Sequence, residues 1–230
     1  MLLVTGATGF VGMNVLREVQ KKRDDIRVLA RDCERAKKLY PGFEVFKGDI
    51  TREGSLKGVG KDIDTVIHLA GLVSYTKPKE MLFKVNVGGT RNVLNVCREA
   101  DKFIFASSVS VYGEIRGQAD ESYPRSPRNA YGESKREAEN LVRDSGMRNI
   151  VFRIAPIYGK GSPQWAENFR LLEKGFPIPR TENLTHVVHI SNVVKAFMLG
   201  MKPKTEGIYN IADGKPVKFM WFAETLLRML

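Results

Sequence analysis

A phenol and an amine stand four residues apart in Tyr131-Gly132-Glu133-Ser134-Lys135. On a helix, positions i and i+4 share a face. A free phenol titrates near pH ~10 and is a poor base at neutrality. An ammonium beside it stabilises the phenolate. Tyr131 can then take a proton from an alcohol as hydride leaves, or return one to a ketone. Upstream, Phe103-Ile104-Phe105-Ala106-Ser107-Ser108 ends an apolar run with two hydroxyls. Ser108 is placed to hydrogen-bond a substrate oxygen and turn it toward Tyr131. Ser107 and Ser110 are expected to satisfy backbone groups in the turn that follows.

Departing hydride needs an acceptor, and Thr5-Gly6-Ala7-Thr8-Gly9-Phe10-Val11-Gly12 offers a place for one. The segment follows an apolar strand, Leu2-Leu3-Val4, and opens a helical pattern. Gly6 allows the tight turn, Gly9 lets backbone approach a pyrophosphate, and Gly12 lets helix and strand pack closely. The exposed N–H groups and the dipole at the helix start attract the anion. Gly6, Thr8, Gly9, Phe10, Val11 and Gly12 therefore form the expected dinucleotide turn. Its spacing, G-x-x-G-x-x-G, differs from the G-x-G-x-x-G of many dehydrogenases. At the end of the second strand, an acidic residue would hold the adenosine ribose of NAD, whereas arginine would favour the 2′-phosphate of NADP. Arg31 stands nineteen residues after Gly12, with Lys37 further on to assist and Asp32 next door. NADP is the preferred reading, and NAD stays open.

These groups need a scaffold to hold them together. Strands are expected at Leu2–Val4, Ile26–Ala30, Glu44–Lys47, Thr65–Leu69, Lys102–Ala106 and Asn149–Ile154. Helices are expected at Phe10–Val19, Cys33–Leu39, Glu80–Ala100 and Tyr131–Arg143. That alternation implies a parallel sheet covered by helices on both faces, a doubly wound α/β fold of the Rossmann kind. After Ile154 the rhythm loosens. A helix is expected at Trp165–Lys174 and another at Val193–Met201, with short strands at Val187–Ile190 and Ile208–Ile211; Phe219–Leu230 is amphipathic. Residues 1–158 read as the dinucleotide-binding domain, with 187–211 returning to it. Residues 159–186 and 212–230 read as a small C-terminal substrate lobe.

The chain has 230 residues, 43% of them hydrophobic and 27% charged, which is ordinary for a globular protein. No apolar run is long enough for a transmembrane helix, and the N-terminal segment does not read as a signal peptide. Cys33 and Cys97 cannot build a disulfide framework and fit a reducing, cytoplasmic setting. A net charge of +11 invites a nucleic-acid reading. The basic residues are scattered, however, without the interleaved aromatics of single-strand binders, and a positive field equally suits anionic cofactors. No nucleic-acid, membrane or metal partner is expected.

Taken in order along the chain, these motifs resemble those of the extended short-chain dehydrogenase/reductases, in the NAD-dependent epimerase/dehydratase family. Thr5-Gly6-x-x-Gly9-x-x-Gly12 resembles the family's cofactor turn. Gly48-Asp49-Ile50 resembles its adenine-contacting element, which implies that Asp49 lies near the adenine amino group. His68-Leu69-Ala70-Gly71 resembles the segment that ends the fourth strand beside the cofactor. Asn86-Val87-Gly88-Gly89-Thr90 resembles a helix signature, and Ser107-Ser108-x-x-Val111-Tyr112-Gly113 the serine motif. Tyr131-x-x-x-Lys135 matches the acid/base pair, and Pro156-Ile157-Tyr158-Gly159 the loop flanking the nicotinamide. Val188–Val193 and Tyr209-Asn210-Ile211 resemble two later elements. The resemblance implies Ser108, Tyr131 and Lys135 as catalytic residues. It implies Asp49, Ile50, Leu69, Ala70, Gly71 and Pro156 beside the cofactor, and a homodimer through the helices near 80–100 and 131–143. His68 and His189 are read as structural, and Asn86 as a tie between helix and sheet.

Two departures bear on substrate. Thr185 stands where sugar-nucleotide epimerases usually carry a diphosphate-binding arginine, and Asn192 where an acid is frequent. The chain also ends soon after Tyr209-Asn210-Ile211, so the substrate lobe is expected to be small, borrowed or truncated. The leading reading is an NAD(P)-dependent oxidoreductase or epimerase acting on a secondary alcohol or ketone, with a nucleotide sugar as the candidate substrate. Dehydration ranks low because no added acid/base pair stands near Ser110–Tyr112. The rival is an NADP-dependent carbonyl reductase of the dihydroflavonol-reductase or hydroxysteroid-dehydrogenase type. A cofactor-binding regulatory protein is the alternative from another class.

Overall fold

The computed structural model describes residues 1–115, 117–162 and 183–228. The helix expected at 165–174 lies outside them. A central sheet of seven parallel strands runs in the order β10-β6-β5-β4-β1-β2-β3. These strands are β1 (Leu2–Thr5), β2 (Ile26–Ala30), β3 (Glu44–Lys47), β4 (Thr65–His68), β5 (Lys102–Ser108), β6 (Arg148–Ile154) and β10 (Gly207–Ile211). The order reverses between β1 and β4, so their carboxyl ends flank the crevice where ligands bind in such sheets. Short strands β7 (Ile157–Tyr158) and β9 (Val188–His189) pair in parallel, and β8 (Leu184–Thr185) pairs antiparallel with β11 (Val217–Lys218).

Each face of the sheet is apolar, as a parallel sheet covered on both sides requires. On one face Val4, Val28 and Ile104 pack with Val15 and Leu16 of α1 (Phe10–Val19). Val193 and Phe197 of α6 (Ile190–Gly200) close the same layer. On the other face Leu3, Val66, Phe103 and Val151 pack with Val93 and Leu94 of α4 (Gly89–Val96) and with Ala138 and Val142 of α5 (Ala130–Arg143). Helix α2 (Cys33–Leu39) covers the outer strands, and α7 (Phe219–Arg228) ends the described chain.

Three expectations change. The single helix expected over residues 80–100 is α3 (Lys79–Phe83), a π-helical turn (Lys84–Gly88) and α4, ending at Val96. The wide turn places Asn86, whose side chain bonds Leu72 and Ser134 instead of facing its own helix, and the Thr90 hydroxyl donates back to the Asn86 carbonyl. The strand expected at 187–190 is two residues long and lies outside the main sheet, because the His189 side chain caps the Ser191 N–H and α6 starts at Ile190. The fifth strand runs on to Ser108, two residues beyond its expected end.

Candidate active site

A cavity of about 800 Å³ opens at the carboxyl ends of β1, β4, β5 and β6. Its walls include Gly6, Gly9, Phe10, Val11 and Gly12 from the first turn, Leu69 and Gly71 after β4, and Pro156 after β6. Ser108, Tyr131 and Lys135 stand on the same wall. Six residues expected at the cofactor lie off this wall: Thr8, Arg31, Lys37, Asp49, Ile50 and Ala70.

The turn is built for close approach. Gly6 has φ +71°, and a Cβ there would lie 2.5 Å from the Ala70 nitrogen, so only glycine fits. Helix α1 begins at Gly9 with no side-chain cap and no acid in its first turn. Its first residues, Gly9 to Gly12, line the cavity, where the unpaired N–H groups of a helix start suit an anion. That uncapped, acid-free helix start fits the pyrophosphate of a dinucleotide. Beyond the turn, Asp32 caps α2 by accepting from the Arg35 N–H at 3.0 Å. The Arg35 guanidinium donates to the Thr8 carbonyl at 3.3 Å. Arg35 was not among the sequence candidates; its place three residues after a capping aspartate was the available signal. Arg31 is exposed. Lys37 is exposed too and lies 3.8 Å from Glu34.

Helix α5 is started by Asn129, whose side-chain oxygen accepts from the Gly132 N–H at 2.8 Å. A Cβ at Gly132 would strike the Ser110 carbonyl, so glycine lets the first turn of α5 lie against the turn after β5. That contact brings Tyr131 beside Ser108. Both are nearly buried, at 7% and 8% exposure. Burial holds the Tyr131 phenol above its ordinary value, while the Ser108 hydroxyl pulls it down. Lys135 donates to the Ala106 carbonyl at 2.5 Å, and its ammonium lies 4.2 Å from the centre of the Phe105 ring. Burial lowers this ammonium to about 8, with the Glu139 carboxylate pulling it back up.

The hydroxyls at the strand end do not serve as expected. Ser108, not Ser107 or Ser110, accepts from the next turn, at 3.2 Å from the Ser110 N–H. Ser107 donates to Glu139 at 2.5 Å. Asp49 accepts from the Thr51 N–H and hydroxyl, and Ile50 packs on Gly89.

His68 is 1% exposed. Its Nδ1 meets the Thr5 hydroxyl at 2.7 Å and its Nε2 the Thr90 hydroxyl at 3.1 Å. Thr90 already donates to Asn86, and Thr5 already accepts from the Ala70 N–H. The pattern assigns a neutral ring protonated on Nε2. Burial, aided by the Lys135 charge, lowers its pKa from 6.5 to about 3. The unfolded chain therefore binds a proton that the folded one refuses across that window, so stability falls as pH drops from about 6.5 toward 3. Melting curves in acid should show this loss, and a His68→Gln variant should show a flatter slope.

The model of the family described as "NAD dependent epimerase/dehydratase family" matches residues 2–212. UDP-glucose 4-epimerase of Vibrio cholerae is 30% identical, the match covering 94% of this chain and 71% of that protein. Sterol-4-alpha-carboxylate 3-dehydrogenase, decarboxylating, of Schizosaccharomyces pombe is 28% identical, over 98% of this chain and 73% of that protein. In fold, the chain is similar to the UDP-glucose 4-epimerase of Thermus thermophilus solved with NAD, with TM-score 0.85, 24% identity and coverage of 99% of this chain and 82% of that one.

Proposed function

Because the chain belongs to the NAD-dependent epimerase/dehydratase family, we propose that it moves hydride between NAD(P) and a secondary alcohol or ketone of a nucleotide sugar, as an epimerase does. One observation carries this reading. Ser108, Tyr131 and Lys135 share one cavity wall with the uncapped start of α1 and with Pro156. When bound, the nicotinamide supplies the hydride acceptor and, oxidised, a positive charge.

The chain supplies the rest. The Ser108 hydroxyl orients the substrate oxygen. Tyr131 holds or takes the proton on that oxygen. Its burial keeps the phenol protonated until positive charge gathers nearby, and in this reading the Lys135 ammonium, four residues on along the helix, supplies part of that charge. Lys135 also reaches the cofactor ribose in this reading. Leu69 and Gly71 close the cavity over the turn. Thr8, Asp49, Ile50 and Ala70 serve the cofactor from outside the wall. Arg31 and Lys37 favour the 2′-phosphate of NADP, and Arg35 joins them as the cation that reaches back to Thr8.

A second reading has its own support. Among the described residues, Lys135 is the only charged side chain on the cavity wall, and Val73 and Tyr75 expose apolar surface there. Together with Thr185 in place of an arginine, this suits a carbonyl reductase for an apolar ring better than a diphosphate-bearing sugar. The experiment is a turnover panel with NAD and NADP, each in oxidised and reduced form: UDP-sugars in one arm, hydroxysteroids with oxidised cofactor and flat cyclic ketones with reduced cofactor in the other. Activity on UDP-sugars supports the first reading. Activity confined to the apolar arm replaces it with the second. A protein that binds cofactor but turns over neither arm supports the regulatory alternative.

The domain reading follows the same logic. In it, residues 1–158 with 187–211 form the dinucleotide unit; of the substrate lobe assigned to 159–186 and 212–230, residues 163–182 and 229–230 lie outside the described residues. Strand β10 returning beside β6 supports it. We place the protein in the reducing cytoplasm, in keeping with the free thiols of Cys33 and Cys97. No described helix is long and apolar enough to cross a membrane. We also propose a homodimer through α3–α4 and α5, which lie side by side with Met81 exposed. Light scattering at micromolar concentration should show two chains per particle, and Met81→Asp should weaken the assembly.

Cofactor choice is directly measurable. NADP(H) should bind more tightly than NAD(H), and Arg31→Ala should narrow the gap by about 1.5–3 kcal/mol, the size of a charge-assisted phosphate contact. Calorimetry showing equal affinities in the parent protein would remove this claim.

A further inference from the structure

We infer that Ser107 and Glu139 are positioning residues for the reaction: from the helix that carries Tyr131 and Lys135, a buried carboxylate pins the strand end that carries Ser108. The inference rests on the catalytic reading above and extends it to two residues that reading does not use.

Helix α5 grips β5 at consecutive residues. Lys135 donates to the Ala106 carbonyl at 2.5 Å, and one helical turn further on Glu139 accepts from the Ser107 hydroxyl at 2.5 Å. The next residue, Ser108, is left to face Tyr131. Glu139 is 0% exposed, so its charge needs partners, and it has them without Ser107. Arg153 of β6 bonds both carboxylate oxygens, from Nε at 3.2 Å to each and from Nη2 at 2.9 Å to Oε2. Arg125 adds a contact at 3.2 Å. Neutralisation is complete with the two guanidinium groups. The Ser107 bond is therefore surplus to the ion pair, and its effect falls on the strand end.

Arg153 is itself fastened from behind. Its Nη1 donates to the Tyr112 hydroxyl at 2.8 Å and to the Glu121 carbonyl at 2.9 Å, and the Tyr112 hydroxyl donates to Asn210 of β10 at 2.7 Å. The carboxylate thus sits in a frame drawn from α5, β6, β10 and the segment after β5. Side chains held this way resist displacement, and a shift of about 1 Å at a reacting group can cost on the order of 10²-fold in rate.

The test uses Ser107, which leaves the Glu139–Arg153 pair intact. Threonine and valine have the same shape and differ in the hydroxyl, so Ser107→Thr and Ser107→Val are compared on the substrate that the parent turns over fastest in the panel. Ser107→Val is expected to lose about 10- to 100-fold in kcat, with cofactor Kd unchanged. Its deuterium isotope effect should rise, because the chemical step has slowed. Ser107→Thr is expected to recover most of the parent kcat. Melting curves confirm that both variants are folded at the assay temperature. Equal kcat in the two variants, or a loss in KM alone, overturns the inference while leaving the catalytic reading in place. Full turnover by Tyr131→Phe overturns both, because the geometry being held would then not be the reacting one.

Discussion

Replacing Tyr131 with phenylalanine is expected to lower turnover by about 10²–10⁴-fold while leaving cofactor affinity nearly unchanged. The ring is 7% exposed and meets Tyr75 edge-on at 5.7 Å, contacts that phenylalanine keeps. The hydroxyl is lost, with its transferable proton and its hydrogen bond to Ser108. The pH profile adds a second readout. Burial raises the free phenol above its ordinary value, so activity near neutrality demands that charge in the assembled site bring it down. An ionisation well below the free value should therefore appear in turnover and vanish in the phenylalanine variant. Lys135→Ala should impair both binding and turnover. Steady-state kinetics with calorimetry checks these outcomes, and near-native turnover by Tyr131→Phe would mean that another group moves the proton.

The largest effect on stability is expected at Arg153. It is 2% exposed and bonds Glu139, Tyr112 and the Glu121 carbonyl. Arg153→Met keeps bulk but leaves Glu139 with Arg125 as its remaining ion-pair contact. Breaking one side of a buried pair costs about 3–5 kcal/mol, which in a domain of this size lowers Tm by about 6–20 °C. Arg125→Met should cost less, because Arg125 is 20% exposed and water can replace part of its contact. Replacing both partners, Arg153→Met with Glu139→Leu, should recover part of the loss, since the buried carboxylate is then no longer left without its main partner. Denaturant or thermal unfolding decides it, and an Arg153→Met protein as stable as the parent would show that the pair contributes little.

Local signals carried most of the fold and much of the site. The strand–glycine turn–helix run, the Tyr131–Lys135 spacing and the alternation of apolar runs are each contained in a short window. Physics acts there through periodicity and turn chemistry, and the sheet and cavity follow. What sequence did not reveal depends on distant partners. Ser107 is drawn away from the turn after β5 because it meets Glu139 thirty-two residues away, and Ser108 accepts from the Ser110 N–H instead. The π turn at Lys84–Gly88 is set by bonds from Asn86 to Leu72 and Ser134, and a hydrophobic pattern does not encode those. Arg35 was not marked because its bond to the Thr8 carbonyl joins residues twenty-seven apart, and no local pattern encodes that bond. The substrate side stayed open for a different reason. Thr185 is a missing cation, and its absence narrows the chemistry without naming a ligand.

The account stands most directly on hydride transfer at the Tyr131 cavity. The decisive measurement is a single-turnover experiment with protein, oxidised cofactor and the alcohol form of the best substrate of the panel, carrying hydrogen or deuterium at its carbinol carbon. Absorbance of the reduced nicotinamide should appear during the turnover, more slowly with deuterium, and should be nearly abolished in Tyr131→Phe. Product formation with no reduced nicotinamide and no isotope effect would contradict the account, because the carbon–hydrogen bond would then not be passing its hydride to the cofactor.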